Sequence, residues 1–320
     1  MKLLIILFAY AFFIASTQAQ SSTEIKLAGP TAVISYPLMV MAREQTLANK
    51  NIKLTFTRWK NPDQLRAMIV SEQIDFSAMP SNLAAIFHNK GQPIKLLNIS
   101  VWDIMTVVSS DPNIKTLADL KGEEIVVPFK SDMPTILLNQ LLNKQLGSKS
   151  KSVKQRVSHN LLDSSQLLLA GQVDHALLIE PVTSMVIHQN NKRTGNKIQR
   201  VLNISTLWKD AFPEAPRLAQ AGLIANGKST KDSELMEAIN KAYSEKAIWC
   251  KSNPDDCADV VKHYLPKAPK PSLINAIKHT ELSPQKASEA QNAIEQFYKV
   301  LLNTNNKLIG GKLPTPEFYL

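Results

Sequence analysis

The chain has 320 residues, 44% of them hydrophobic, and 37 Lys and Arg against 27 Asp and Glu give a formal charge of +10. That length and apolar content supply one large core or two smaller ones, which excludes low-complexity disorder as a global description. The positive charge alone would fit a nucleic-acid binder, but the lysines are dispersed. The densest runs, GSKSKSVKQR and NNKRTGNK, sit among Gly, Ser and Asn as solvated loops do, so nucleic acid is not an expected partner.

The first twenty residues, MKLLIILFAYAFFIASTQAQ, place Lys2 before an apolar run and small residues around Ala19. This is the layout of a secretory signal, residues 1–19, cleaved after Ala19. The apolar run is shorter than the roughly 20 residues of a membrane span. The leader takes with it one of the 37 basic residues and no acid, so the mature chain keeps a charge of +9.

From Thr23 onward short apolar strands alternate with amphipathic helices. EIKLAG, IKLTFT, IDFSAM, IKLLNISV, EEIVVPF, VDHALLI and IQRVLNIS read as strands, and the alternation predicts α/β layers with largely parallel sheets. After AQAGLIANG the pattern turns to helix upon helix, through ELMEAINKAYSEKAIW, PDDCADVVKHYL, PSLINAIKHT and SEAQNAIEQFYKVLL. The two cysteines, Cys250 and Cys257, flank Pro254 between two of these helical stretches. In an oxidising compartment they read as a local structural disulfide, with two free buried thiols as the alternative. Their spacing matches no zinc or redox motif.

Four strand-to-helix junctions share a proline: Tyr36-Pro37, Met79-Pro80, Met133-Pro134 and Glu180-Pro181. Proline suits the first turn of a helix and pushes its predecessor towards extended backbone. In parallel α/β sheets ligands bind beyond the carboxyl ends of the strands, where helix starts present unpaired N–H groups. Two junctions fall in each half of the alternating region, which predicts two similar α/β lobes facing one cleft. A single doubly wound domain is the alternative.

The segments IVSEQIDFSAMPSNLAAI, TLADLKGEEIVVP, LLLAGQVDHALLIEP and LIGGKLPTPEFY, in this order and spacing, resemble the solute-binding proteins of ABC importers. More narrowly they resemble the group that spans nitrate, sulfonate, taurine and thiamine-pyrimidine-precursor binders. The resemblance runs from about residue 25 to the C-terminus, and FKSDMPT departs from the small Gly-Ser-Thr-like turn of many relatives. It implies a type II periplasmic binding fold, with residues 24–109 and 219–320 as lobe 1 and residues 110–218 as lobe 2. The implied hinge has two segments, crossing near residues 109–112 and returning near 213–218, and the C-terminal helices complete lobe 1. It further implies a periplasmic monomer that takes a small-molecule ligand to an ABC permease, with no cofactor.

Carried over by position, the cleft residues are Thr31, Ser35 and Tyr36 after the first strand, Trp59 after the second, and Met79, Pro80 and Ser81 after the third. Trp102 approaches the hinge, Phe129, Lys130, Ser131 and Asp132 come from lobe 2, and Glu180 stands in the IEP segment. Trp59 and Trp102 are read either as stacking platforms or as core. Asp132, Glu180 and Ser81 are read either as ligand contacts or as helix caps, and Arg58 and Lys130 as solvent-facing. If Asp132 and Glu180 both face the cleft, a neutral or amine-bearing planar ligand such as a pyrimidine fits better than a strong anion. Sulfonate, taurine or nitrate is the alternative, as is a sensor that docks on a membrane receptor. Met79 and Met133 invite a copper(I) reading, against which adaptable apolar lining stands as the simpler one. No P-loop, GxSxG, HExxH or dinucleotide fingerprint marks an enzyme.

Overall fold

The computed structural model describes residues 22–193 and 198–320. The leader with its cleavage point, and part of the NNKRTGNK run, lie outside the described residues. The first half runs β1 (Thr23–Gly29), α1 (Tyr36–Glu44), β2 (Ile52–Arg58), α2 (Pro62–Val70), β3 (Phe76–Pro80), α3 (Ser81–Asn89) and β4 (Ile94–Asp103). The second runs β5 (Met105–Ser109), β6 (Glu124–Pro128), α4 (Met133–Leu146), β7 (Lys154–Ser158), α5 (Leu161–Leu169), β8 (His175–Ile179), α6 (Val182–Arg193), β9 (Gln199–Asn203) and α7 (Ile204–Ala211). The last part holds β10 (Ala221–Asn226), α8 (Ser233–Ser252), α9 (Pro254–Tyr264), α10 (Lys270–Lys278), β11 (Glu281–Lys286) and α11 (Ala287–Thr304).

Among the described residues the strands form two sheets, ordered β11-β4-β10-β3-β1-β2 and β7-β6-β8-β5-β9. In each, a central strand has parallel neighbours on both sides: β1 pairs with β2 and β3, and β6 with β7 and β8. Each also takes one antiparallel strand supplied by a passage between the sheets, β10 beside β3 and β5 beside β8. The repeated phrasing of the sequence is therefore a repeated β-α-β-α-β-α unit, with each unit exchanging a strand with the other.

This exchange corrects the expected first crossing. β5 belongs to the second sheet, so the chain passes between the sheets at Ile104 and not at residues 109–112. The apolar stretch on both sides of Ile104 looks like one strand in sequence, because every residue of β5 is buried, as is nearly all of β4. Besides β5, two strands were not read from the sequence. β7 is a polar edge strand, and β11 is an edge strand containing Pro284, which edge positions tolerate.

Tight approaches fix two glycines. A Cβ on Gly29 would stand 2.3 Å from Ser35 Oγ, and one on Gly222 1.9 Å from the Asn98 carbonyl oxygen. The second lets β10 press against β4, where the sheet is most buried. The return segment is anchored by Trp208, which is fully buried, lies 4.3 Å from Phe212 between ring centres, and donates its indole N–H to Ala215 O. Cys250 and Cys257 are joined in a disulfide with Cα atoms 5.1 Å apart, tying α8 to α9. Both sulfur-bearing residues are buried, so the bond serves the helical pack and not the cleft.

Candidate ligand-binding cleft

All four proline junctions stand where helices begin. Pro37 and Pro134 lie in the first turns of α1 and α4, Pro80 caps α3 by its backbone, and Pro181 immediately precedes α6. Each helix follows the carboxyl end of a parallel strand, so the junctions from the two sheets face a common space.

Tyr36 opens α1 and is fully buried, with a hydroxyl that has no hydrogen-bond partner among the described residues. Its phenol is held well above the usual tyrosine range, first by burial and second by the carboxylate of Glu180 from the other lobe. Glu180 is itself 1% exposed. One of its carboxylate oxygens accepts from the Ser184 backbone N–H at 3.1 Å, which satisfies an amide in the first turn of α6. The other accepts from the Arg200 guanidinium, and the same nitrogen of Arg200 donates to Ser184 Oγ at 2.7 Å. Among the described residues Arg200 Nε is buried without a partner, as is Thr183 Oγ1 on the first turn of α6. The strand β9 delivers Arg200, because Arg200 stands opposite Val108 in the β5–β9 register and β5 in turn pairs with β8, which ends beside Glu180.

At the rim, Asp132 precedes α4 yet makes no side-chain cap. It accepts instead from Arg66 Nη2 at 2.7 Å, and Arg66 lies on α2 of the other lobe, where its second guanidinium nitrogen binds Asp63. This ion pair spans the opening. Burial raises the Asp132 carboxyl above its ordinary value, and Arg66 opposes that rise.

The other expected residues divide by their contacts. Ser81 Oγ donates to Ala219 O at 2.5 Å, and its backbone N–H to Gln220 O, so it anchors the return segment and does not cap α3. Ser35 Oγ donates to Pro30 O, with Thr31 half-buried in the same turn. Trp59 is 5% exposed, its indole N–H 3.4 Å from Ser77 Oγ. Trp102 donates to Ser283 O, and the guanidinium of Arg217 covers its ring at 3.5 Å, so that face is already occupied. Phe129 turns the backbone with a φ of 65°, while Lys130 and Ser131 are exposed, as is Arg58. Met79 and Met133 are buried core lining. Pro80 is half-buried beside them.

The structure thus brings Tyr36 and Glu180 together and turns Asp132 into a bridge across the rim. Sequence reasoning missed Arg66, Arg200 and Ser184. The only local signal was the Asn61-Pro62 start of α2, which places Arg66 near the cleft end of that helix. Both acids expected to give the mouth a negative sign are matched by an arginine, so their charge is neutralised where they stand.

Solved structures share this architecture. An ABC transporter protein from Parabacteroides distasonis is 20% identical over 93% of this chain and 99% of its own, with a TM-score of 0.74. The periplasmic aliphatic sulphonate binding protein SsuA from Escherichia coli is 15% identical over 93% and 97%, with a TM-score of 0.73. The periplasmic nitrate-binding protein NrtA from Synechocystis PCC 6803 is 13% identical over 89% and 84%, with a TM-score of 0.64. The fold is accordingly that of type II periplasmic binding proteins. Among proteins of curated function, none matches the sequence. The model of the family described as NMT1/THI5 like matches residues 39–257, well over half of the sequence, and the chain belongs to that family.

Proposed function

We propose that the protein is an extracytoplasmic solute-binding component of an ABC importer, which closes two lobes around a small molecule and presents it to a membrane permease. The observation that carries this reading is the convergence of Tyr36 and Glu180, one from each lobe, with buried polar atoms of Tyr36 and Arg200 left unpaired. Buried polar groups are ordinarily satisfied, and a ligand that supplies the missing partners gains affinity by doing so. Contacts from both lobes favour the closed arrangement through the ligand's differential affinity. The leader supports export to the periplasm.

The ligand we favour is a small uncharged polar molecule that accepts from Arg200 Nε and pairs with the Tyr36 hydroxyl, of which a pyrimidine is one example. SsuA and NrtA are named for sulphonate and nitrate. In this chain Glu180 already holds Arg200 and Asp132 holds Arg66, which leaves neither guanidinium as an uncompensated anion receptor. A thermal-shift panel of pyrimidines, amines, sulfonates and nitrate tests the choice. A ligand at a hundred times its Kd stabilises by about 2.7 kcal/mol, a rise in Tm of about 5 °C for a chain of this size. The reading requires that rise with an uncharged compound, and a rise confined to sulfonates or nitrate overturns it.

A further inference from the structure

Tyr36 Oη, Thr183 Oγ1, Arg200 Nε and Gln220 Oε1 are buried polar atoms without a partner among the described residues. Each is tied to Glu180 by a separate link. Burial, and after it the Glu180 charge, holds the Tyr36 phenol high. Arg200 donates to the Glu180 carboxylate. Thr183 adjoins Ser184, whose backbone N–H donates to Glu180 and whose hydroxyl accepts from Arg200. Gln220 is reached through the backbone, since the Glu180 N–H donates to Ile104 O at 3.2 Å and, two residues earlier, Trp102 O accepts from Gln220 Nε2 at 3.3 Å.

Gln220 stands on the return segment just ahead of β10, at the carboxyl end of β3, where its own carbonyl accepts from the Ser81 N–H at 3.0 Å. It is 1% exposed. Its Nε2 also donates to Ser205 Oγ at 3.1 Å. Trp102 O can only accept, which fixes the amide with Nε2 towards it and Oε1 turned away. The side chain thus joins the two passages between the sheets and keeps one acceptor unused. The unpaired atoms differ in what they require: Gln220 Oε1 only accepts, Arg200 Nε only donates, and the two hydroxyls do either. Nitrate or a sulfonate offers acceptors alone and an ammonium group donors alone, so each answers one of that pair and leaves the other unsatisfied. Buried polar atoms are ordinarily paired, and one left unpaired is costly. A neutral molecule with both an N–H and a carbonyl answers both.

We propose, on the reading that the cleft captures a solute, that its ligand is an uncharged amide, lactam or imide whose carbonyl accepts from Arg200 Nε and whose N–H donates to Gln220 Oε1. Uracil and its dimethyl derivative, methylated on both nitrogens, share the carbonyls and differ in the N–H donors. Each is titrated into the mature protein and into Gln220→Met and followed by amide NMR shifts, with nitrate and propanesulfonate as acceptor-only probes. Uracil is expected to bind about tenfold tighter or more than the dimethyl compound, and Gln220→Met to bring the two within about twofold of each other. Exclusion of the methyl groups by size would survive in Gln220→Met, so a preference that persists there overturns the Gln220 contact. Equal binding of the two compounds by the wild type overturns the proposal without recourse to any variant. Saturation by nitrate or propanesulfonate with none by uracil overturns it while solute capture stands. Silence from all four probes overturns it as well, and solute capture falls with it only if the protein from its own cells also carries no small-molecule adduct in native mass spectrometry.

Discussion

Glu180 is 1% exposed and its carboxylate answers both the α6 amide of Ser184 and the guanidinium of Arg200. Glu180→Gln leaves Arg200 without its counter-charge. The expected cost is about 3 kcal/mol, at the lower end for a broken buried pair because Arg200 keeps 23% of its side chain in solvent. Urea unfolding measures it directly, and an unchanged midpoint contradicts the assignment. Of the two readings the sequence left open for the tryptophans, burial favours core over stacking platform. Trp59 and Trp102 are 5% and 2% exposed, so truncation of either to alanine should cost about 3–5 kcal/mol of stability before any effect on ligand is read. Wild-type unfolding curves for both variants would contradict that. Tyr36 and Glu180 were legible because proline marks where a strand yields to a helix. Arg66 and Arg200 were not, since each reaches its acid from another element, 66 and 20 residues away, and no local pattern announces such a meeting.

At the scale of elements, α2 and α4 meet across the rim through Arg66 and Asp132. Arg66→Ala removes a pair in which the arginine is 38% exposed, so the loss is discounted for solvent to about 0.5–1 kcal/mol, or roughly twofold to fivefold in ligand affinity, with the fold intact. Calorimetric titration with the cleft ligand checks this, and an unchanged Kd removes the pair from closure. The strand β8 carries a second testable feature. His175 is 2% exposed, and its Nδ1 lies 2.9 Å from Ser109 Oγ, which accepts from the Asp111 N–H. Burial lowers the pKa of the ring below the ordinary 6.5 against the opposing pull of Asp174, Glu123 and Asp111. The unfolded chain therefore binds the proton more readily. Stability is full above pH about 6.5 and falls as pH drops from there towards the lowered folded value. A His175→Gln variant should flatten that part of the pH–Tm curve, and an identical slope would contradict the role. The alternating strands and the terminal helices were readable from apolar periodicity. β5, β7 and β11 were not, for β5 merges with β4 in one buried run and the other two are edges with little apolar pattern.

The whole molecule consists of two related sheets that trade a strand at each passage between them, β5 going one way and β10 the other. The helical pack closes the first lobe, and the Cys250–Cys257 bond stiffens it. A disulfide over so short a loop contributes about 2.5 kcal/mol in the chain-entropy account, so reductant should lower the unfolding free energy by that amount without altering ligand affinity. Pairing of the lobes was legible in the repeated proline junctions, whereas the point of crossing was not, because nothing local distinguishes residue 104 from its neighbours. The central claim is that both lobes hold one small molecule between Tyr36 and Glu180. Native mass spectrometry of the mature protein isolated from its own cells tests it most directly. Capture between the lobes requires a single non-covalent adduct of small-molecule mass per chain, diminished in Tyr36→Phe. A bare chain mass in the wild type, persisting after incubation with the small-molecule fraction of the growth medium, would contradict it.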